Sequence, residues 1–304
     1  IKHINEKHII LNLLNKTLNI IQNQKPDLVH FHNPYNPWTT LILPQLHAFT
    51  KIVTTIPEGE LHQGMQKRLE MKISRNIHCK FSDALIALTH ADKLMIEKYT
   101  KKKDIFIIPH GINNLFNTKS NKNIKSDSLL FFGGINPFKG INYLLKAFPL
   151  VKKQVPDIKL IIAGRGDLSK YDDLINDSKD IIIKNFFIPQ DDVSYYFQRA
   201  KIVVLPYVEV DHSGIIPVAY SLGKPVVASD KVVDAVHHGV TGLVVPSHDH
   251  VALANALIKM LKDDKLRNKF GKNAYEYVTS EYSWDAISKK TMDVYDWTLN
   301  NNKN

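Results

Sequence analysis

Apolar residues along this chain fall into two patterns that alternate. Short apolar runs bounded by turn residues are separated by stretches in which apolar side chains recur every three or four positions. In the first third, the runs Asp27–Phe31, Lys51–Thr55, Leu85–Leu88 and Ile105–Ile108 read as strands, and Glu6–Ile21 reads as an amphipathic helix. Further on, strands are expected at 129–132, 159–163, 181–184, 202–205, 226–228 and 243–245, with helices between them. One of these helices is Val251–Leu261, with Ser247 or Asp249 as its N-cap. A final helix, Trp284–Leu299, carries Ile287, Met292, Tyr295 and Trp297. Asn117–Asp127 is polar and lacks apolar periodicity, which marks a linker. The pattern predicts an α/β protein with two parallel-sheet units, residues 1–116 and 128–278, joined by linker 117–127 and closed by a helical segment, 279–304.

Three of the expected strands end in loops suited to anions. The run ending at Leu205 passes through a polar loop to Ser213-Gly214, which opens a helix at Ile215 that Gly223 stops. A Ser-Gly pair there offers free backbone N–H groups to a phosphate, and Gly214 allows close approach; the alternative is an ordinary tight connection with Ser213 as N-cap. Leu129–Phe132 ends in Gly133-Gly134 and continues to Lys139-Gly140; Lys159–Ala163 ends in Gly164-Arg165-Gly166-Asp167. In open parallel sheets, ligands sit beyond the carboxyl ends of the strands, so these loops are expected to converge, with Lys139 as the cation beside Ser213. The competing reading of Lys139 is a solvated surface lysine.

The blocks FFGGINPFKGINYLLKAF, KLIIAGRGD, IIIKNFFIPQDDVSYYFQRAKIVVLPY, LPYVEVDHSGIIPVAYSLGKPVVAS and HHGVTGLVVPSHDHVALANAL occur in the order and spacing of the nucleotide-binding half of a family 4 glycosyltransferase. The segment Ser128 to Tyr295 resembles that family. PDLVHFHNPYNPW, SDALIALTHADKLMIEKY and IFIIPHGIN are a weaker match to its first half. The resemblance implies a GT-B architecture: two Rossmann-like doubly wound domains facing a cleft, an acceptor-side domain first and a nucleotide-sugar-binding domain second, with the last helix crossing back to the first. The first domain is expected to be incomplete, because the family's opening strand and glycine-rich loop have no counterpart before Glu6.

What the resemblance implies for the site is a retaining transfer without a required metal. Lys139, Ser213, Gly214, Ile215, Gly133, Gly134 and Arg165 fall in the donor-phosphate region. Glu209 falls where the family places an acidic residue facing the donor sugar, its alternative being a surface carboxylate. Ile188 lies in the nucleobase region, with core packing as the competing role. Several positions depart from the family. Val210 and Val218 occupy the places of the E-x7-E glutamates, the second of which normally binds ribose. Gly134 stands where a phosphate-binding arginine is common, leaving more to Lys139, with Arg165 as a substitute or a surface residue. The active-site histidine expected after Lys51–Thr55 is replaced near Ile56-Pro57, with Glu58, Glu60 and His62 the nearest ionisable groups. His62 is then the substitute, or merely a loop cap. His32 and Asn33 would line the same acceptor cleft.

Composition narrows the partners. With 304 residues, 44% hydrophobic and 23% charged, the chain can bury two cores. Cys79 is the single cysteine, so no intramolecular disulfide forms, and no run reaches the roughly 20 apolar residues that span a bilayer. No signal-peptide pattern occurs, which together with the lone thiol points to a cytoplasmic setting. The formal charge of +10 fits either a peripheral contact with anionic membrane lipid, an anionic lipid-linked acceptor, or plain solubility charge. Nucleic-acid signatures are absent. Asp-x-Asp does not occur, so no metal clamp is expected. No cofactor is expected beyond the nucleotide-diphosphate sugar as donor substrate. Two functions compete: an active transferase acting on a surface polysaccharide or glycolipid, and a catalytically degenerate or truncated relative acting as a binding or scaffold subunit.

Overall fold

A computed structural model describes residues 6–32, 34–57, 68–101, 104–111, 124–175, 178–209, 213–232 and 236–301. It divides into two compact units, one of residues Ile1–His110 with Asp285–Asn304 and one of Gly111–Trp284. In order, the elements are α1 (Glu6–Gln24), β1 (Leu28–Phe31), α2 (Pro37–His47), β2 (Lys51–Ile56), α3 (Arg68–Phe81), β3 (Ala84–Ala87), α4 (His90–Glu97) and β4 (Ile105–Ile107). The second unit holds β5 (Ser128–Phe132), α5 (Ile141–Gln154), β6 (Lys159–Ala163), α6 (Asp172–Ile175), β7 (Ile181–Lys184), α7 (Gln190–Arg199), β8 (Ala200–Leu205), α8 (Ile215–Ser221), β9 (Val226–Ser229), β10 (Gly242–Val245), α9 (His250–Lys262) and α10 (Asp264–Glu281). The final helix, α11 (Trp284–Asn300), belongs with the first unit from Asp285 onward.

All described strand pairs are parallel. The first sheet runs in the order β1-β2-β3-β4. One face, through Val53, Ala84 and Ile86, packs on Ile287 and Val294 of α11. The opposite face carries Ile52, Ile56, Leu85 and Ala87 against α2, α3 and α4. Helix α2 starts where Asn36 accepts from the Trp38 amide at 2.9 Å and Pro37 takes a first-turn position that needs no N–H donor.

Helix α3 turns its polar side inward. Ser74, His78 and the following Ser82 are buried, while Leu69 and Ile73 lie 71% and 53% exposed. Thr54 on β2 explains this: its Oγ1 is 3.1 Å from His78 Nδ1 and 2.8 Å from Ser82 Oγ. Ser74 donates to the Pro34 carbonyl and meets the Thr40 hydroxyl. Apolar periodicity alone would turn this helix the other way.

The second sheet runs β10-β9-β8-β5-β6-β7. Alternate residues separate its two cores, as the pleat requires. Leu129, Phe131, Leu160, Ile162, Ile202 and Val204 face α5 and α9. Leu130, Ile161, Ala163, Val203 and Leu205 face α7, α8 and α10. Asp249 caps α9, accepting from the Val251 and Ala252 amides at 3.0 and 2.8 Å, which settles the choice between Ser247 and Asp249. From β5 the chain winds outward to β6 and β7, then returns to β8 on the other side. The switch point of this unit is therefore the boundary between β5 and β8, where two adjacent parallel strands send their loops in opposite directions and leave a crevice.

Candidate functional site

At that switch point the loop after β5 and the loop after β8 are pinned together by backbone. Residues Pro137–Lys139 form a single 3-10 turn, ended by Gly140 at φ 66°. The Val208 amide donates to the Phe138 carbonyl at 2.8 Å. A Cβ on Gly140 would lie 1.9 Å from the Pro206 carbonyl oxygen, so only glycine permits this approach. The loop after β6 joins on the other side: Ile135 donates to the Arg165 carbonyl at 2.9 Å, and Gly166 and the Asn185 amide exchange hydrogen bonds at 3.0 and 2.9 Å. Gly164, at φ 146°, sits where a Cβ would be 1.9 Å from the Gly133 oxygen.

The chemistry in this crevice centres on three side chains. Lys139 Nζ donates to Tyr207 Oη at 3.3 Å, and Tyr207 Oη is 2.9 Å from Ser213 Oγ. Tyr207 is fully buried, and its carbonyl accepts from Ser229 Oγ at 2.6 Å. Lys139 Nζ also lies 5.1 Å from the Tyr207 ring centroid and 5.9 Å from that of Phe138. It is 3.9 Å from the Cβ position of Gly133, to which Ile215 is also close at 3.6 Å. Among the described residues no carboxylate pairs with Lys139. The N–H groups of Gly214 and Ile215 likewise have no acceptor among the described residues. A cation with no carboxylate partner among the described residues, a hydroxyl and two amides thus share one half-buried crevice, an arrangement that suits an anion with several acceptor oxygens.

The sequence placed Lys139, Ser213, Gly214, Ile215 and Gly133 in one site, and the structure brings these five together. It corrects the N-cap alternative for Ser213: Gly214 is the cap residue of α8 and the Ser213 hydroxyl turns to Tyr207 instead. Tyr207 is the site residue that sequence reasoning missed. The available signal was an aromatic residue directly after the strand-ending Pro206, where a buried strand emerges into the crevice.

In the first unit, two histidines at the end of β1 stack, with ring centroids 4.0 Å apart for His30 and His32. His30 is held on both nitrogens, Nδ1 at 2.7 Å from Tyr295 Oη on α11 and Nε2 at 2.8 Å from Thr55 Oγ1. His32 is exposed. Burial, then the neighbouring His32, push the His30 pKa down from 6.5 to about 4; burial alone pushes His78 down to about 4. Each of these histidines is neutral in the fold at a pH where the unfolded chain binds a proton. Acid therefore withdraws about 1.4 kcal/mol per pH unit per histidine between about pH 6.5 and 4. Urea unfolding of the first unit is expected to show about 4 kcal/mol less stability at pH 5 than at pH 7, and His78→Asn about half that drop. A pH-independent midpoint would contradict it.

Comparison with known proteins decides the family. Residues 113–277, more than half of the chain, match the model described as Glycosyl transferases group 1, and residues 4–114 match Glycosyltransferase Family 4. The chain belongs to the group 1 glycosyltransferases. An uncharacterized glycosyltransferase of Methanocaldococcus jannaschii is 31% identical over 55% of this chain, which spans 44% of that relative. Phosphatidyl-myo-inositol mannosyltransferase of Mycobacterium leprae is 28% identical over 89% of this chain and 73% of its own length. Lipopolysaccharide 1,2-N-acetylglucosaminetransferase of Salmonella typhimurium is 25% identical, covering 92% and 74%. Among solved structures, a glycosyltransferase from Rickettsia africae superposes with a TM-score of 0.75 at 18% identity, covering 99% of this chain and 84% of its own. Anabaena HepE in complex with UDP gives 0.72 at 15% identity, covering 94% and 82%. The likeness to these structures establishes the GT-B fold.

The remaining expected residues do not join this cluster of side chains. Gly134 is exposed and brings no cation, and the Arg165 side chain is exposed while only its carbonyl holds the β5 loop. Glu209 is exposed at the mouth of the loop after β8. Ile188 is 7% exposed and packs into the core with Val193, Tyr196 and Phe197, while its neighbours Phe186 and Phe187 are 47% and 79% exposed. Val218 is half-buried against the same core. His62, Asn33 and Val210, with Glu58 and Glu60, lie outside the described residues. Among the described residues no three His, Cys, Asp or Glu side chains gather to hold a metal ion.

Proposed function

We propose that this protein transfers a sugar from a nucleotide-diphosphate sugar to a surface-polysaccharide or glycolipid acceptor, with retention and without a metal or other cofactor. The observation that carries this reading is Lys139 at the switch point, with no carboxylate partner among the described residues, beside Ser213 and the amides of Gly214 and Ile215, which have no acceptor among those residues. When the bond between the sugar C1 and the β-phosphate oxygen breaks, negative charge grows on the departing diphosphate. Fixed donors aimed at that charge lower the barrier. Helix α8 has only seven residues, so its dipole adds little and the Lys139 ammonium supplies most of the positive potential. The acceptor hydroxyl oxygen bonds to C1 on the face the diphosphate leaves, and its proton passes to the departing phosphate oxygen. Glu209 hydrogen-bonds the hydroxyls of the donor sugar.

Two relatives name their acceptors, phosphatidyl-myo-inositol and lipopolysaccharide, and solved neighbours hold UDP and UDP-glucose. Those names support a lipid-linked acceptor and a nucleotide sugar donor here. The charge of +10 supports peripheral contact with anionic lipid. No described helix is long and apolar enough to cross a membrane. A second reading, a binding module without turnover, rests on Gly134 in place of a phosphate-binding arginine.

Incubation with a panel of nucleotide-diphosphate sugars, following release of nucleoside diphosphate, separates the two. The transferase reading expects slow release from one donor, and Glu209→Gln is expected to cut that release about 100-fold while sparing diphosphate binding. Tight binding with no release, with and without candidate lipid acceptors, would support the binding module instead.

A further inference from the structure

The buried phenol of Tyr207 plays no part in the reading above, yet it is the one group bonded to both Lys139 and Ser213. Proton counting fixes the direction of this chain of hydrogen bonds. A lysine ammonium only donates, so Tyr207 Oη accepts from Lys139 Nζ at 3.3 Å. The phenol then has a single proton and, among the described residues, a single further partner, Ser213 Oγ at 2.9 Å. Were Ser213 the donor, the phenol proton would find no acceptor among the described residues inside a fully buried side chain, a costly arrangement. Tyr207 therefore donates to Ser213, and the Ser213 hydroxyl proton is released to point at a third group. An acceptor suits that proton, and the Lys139 ammonium beside it favours one that carries negative charge.

We propose that Tyr207 is a positioning residue that sets Lys139 and Ser213 as coupled donors to the two phosphates of the nucleotide, so that the site prefers a diphosphate. The inference rests on the transferase reading and deepens it. Backbone contacts hold Tyr207 stiffly in place. Its carbonyl is anchored by Ser229 Oγ at 2.6 Å, and its neighbours Pro206 and Val208 are locked against Gly140 and Phe138. The Lys139 turn and the Tyr207 strand end thus move as one body, and the phenol fills the space between them.

The test is calorimetric titration of UDP and GDP, with uridine and guanosine as controls, into wild type, Tyr207→Phe, Ser213→Ala, Ser213→Thr, Lys139→Met and the Tyr207→Phe/Lys139→Met pair. Tyr207→Phe is expected to weaken the bound diphosphate about 10-fold and leave the nucleoside within about 2-fold, as for loss of one hydrogen bond to a charged group. In the Lys139→Met background the same change is expected to cost less than in wild type, because only the orientation of Ser213 is then left to lose. Ser213→Ala is expected to show the same diphosphate-specific loss and Ser213→Thr to restore it, which keeps the test decisive if Tyr207→Phe fails to fold. Equal losses for diphosphate and nucleoside, or an undiminished effect of Tyr207→Phe without Lys139, would overturn the relay. If Lys139→Met weakens diphosphate binding while the Tyr207 and Ser213 variants do not, the relay alone falls. If neither diphosphate binds wild type, the transferase reading falls with it.

Discussion

Replacing Lys139 with methionine is expected to weaken binding of a nucleoside diphosphate about 100-fold while leaving the nucleoside within about 2-fold. The size follows from removing a charged donor from the crevice: hydrogen bonds to charged groups contribute about 1.5–3 kcal/mol, and tenfold in affinity is about 1.4 kcal/mol. Lys139 is half-buried, bonded to Tyr207, and without a carboxylate partner among the described residues. Methionine keeps most of the apolar stem and removes the ammonium, with its charge and its hydrogen bond to Tyr207. Gly134 carries no side chain, and Lys139 is the one cation in the segment Gly133–Gly140, so the sequence of the β5 loop supplies no second cation to compensate. Arg165 is exposed, and a small loss in Lys139→Met would show that it reaches the phosphate after all. Isothermal titration with paired diphosphate and nucleoside reads the difference directly.

The largest stability effect is expected at Gly140. Alanine there must adopt φ 66°, which costs an L-residue about 1–2 kcal/mol, and its Cβ would lie 1.9 Å from the Pro206 carbonyl oxygen and 2.9 Å from the carbonyl carbon. Both obstacles are backbone and cannot swing aside. Gly140→Ala is therefore expected to destabilise the second unit by about 4 kcal/mol and to abolish diphosphate binding, since the turn that carries Lys139 must detach from the strand end that carries Tyr207. Gly214→Ala is the control. Nothing lies within 4 Å of its Cβ position, so a change within about 1 kcal/mol is expected. Chemical denaturation of both variants checks the pair; similar destabilisation would mean that the β5 and β8 loops are not locked as described.

Strand positions were legible because each strand is an apolar run with turn residues at its ends, and all ten lie within two residues of their expected bounds. The parallel sense of the strands follows from αβ alternation, whereas the strand order, and with it the switch point, comes from the structure. Helix α3 was harder to orient from its sequence. Its buried face is polar because Thr54 and Thr40 come from elsewhere in the chain to meet it, and periodicity records only the apolar side. The site was half-readable for a similar reason. Glycines and Lys139 announce themselves by type and spacing, so the loops that hold the anion pocket could be named. The partner of Ser213 could not, because an N-cap role is local while the bond to Tyr207 depends on how the loop after β8 folds back. His30 shows the extreme case: its bond to Tyr295 spans 265 positions, and no pattern near β1 signals it.

On the function proposed here, the crevice between β5 and β8 holds the diphosphate of a nucleotide sugar. A crystal structure with bound UDP or GDP, whichever binds more tightly, tests it most directly. Phosphate oxygens are expected within hydrogen-bond distance of Lys139 Nζ, Ser213 Oγ and the amides of Gly214 and Ile215. A diphosphate seated elsewhere, with Lys139 still turned to Tyr207 alone, would contradict it.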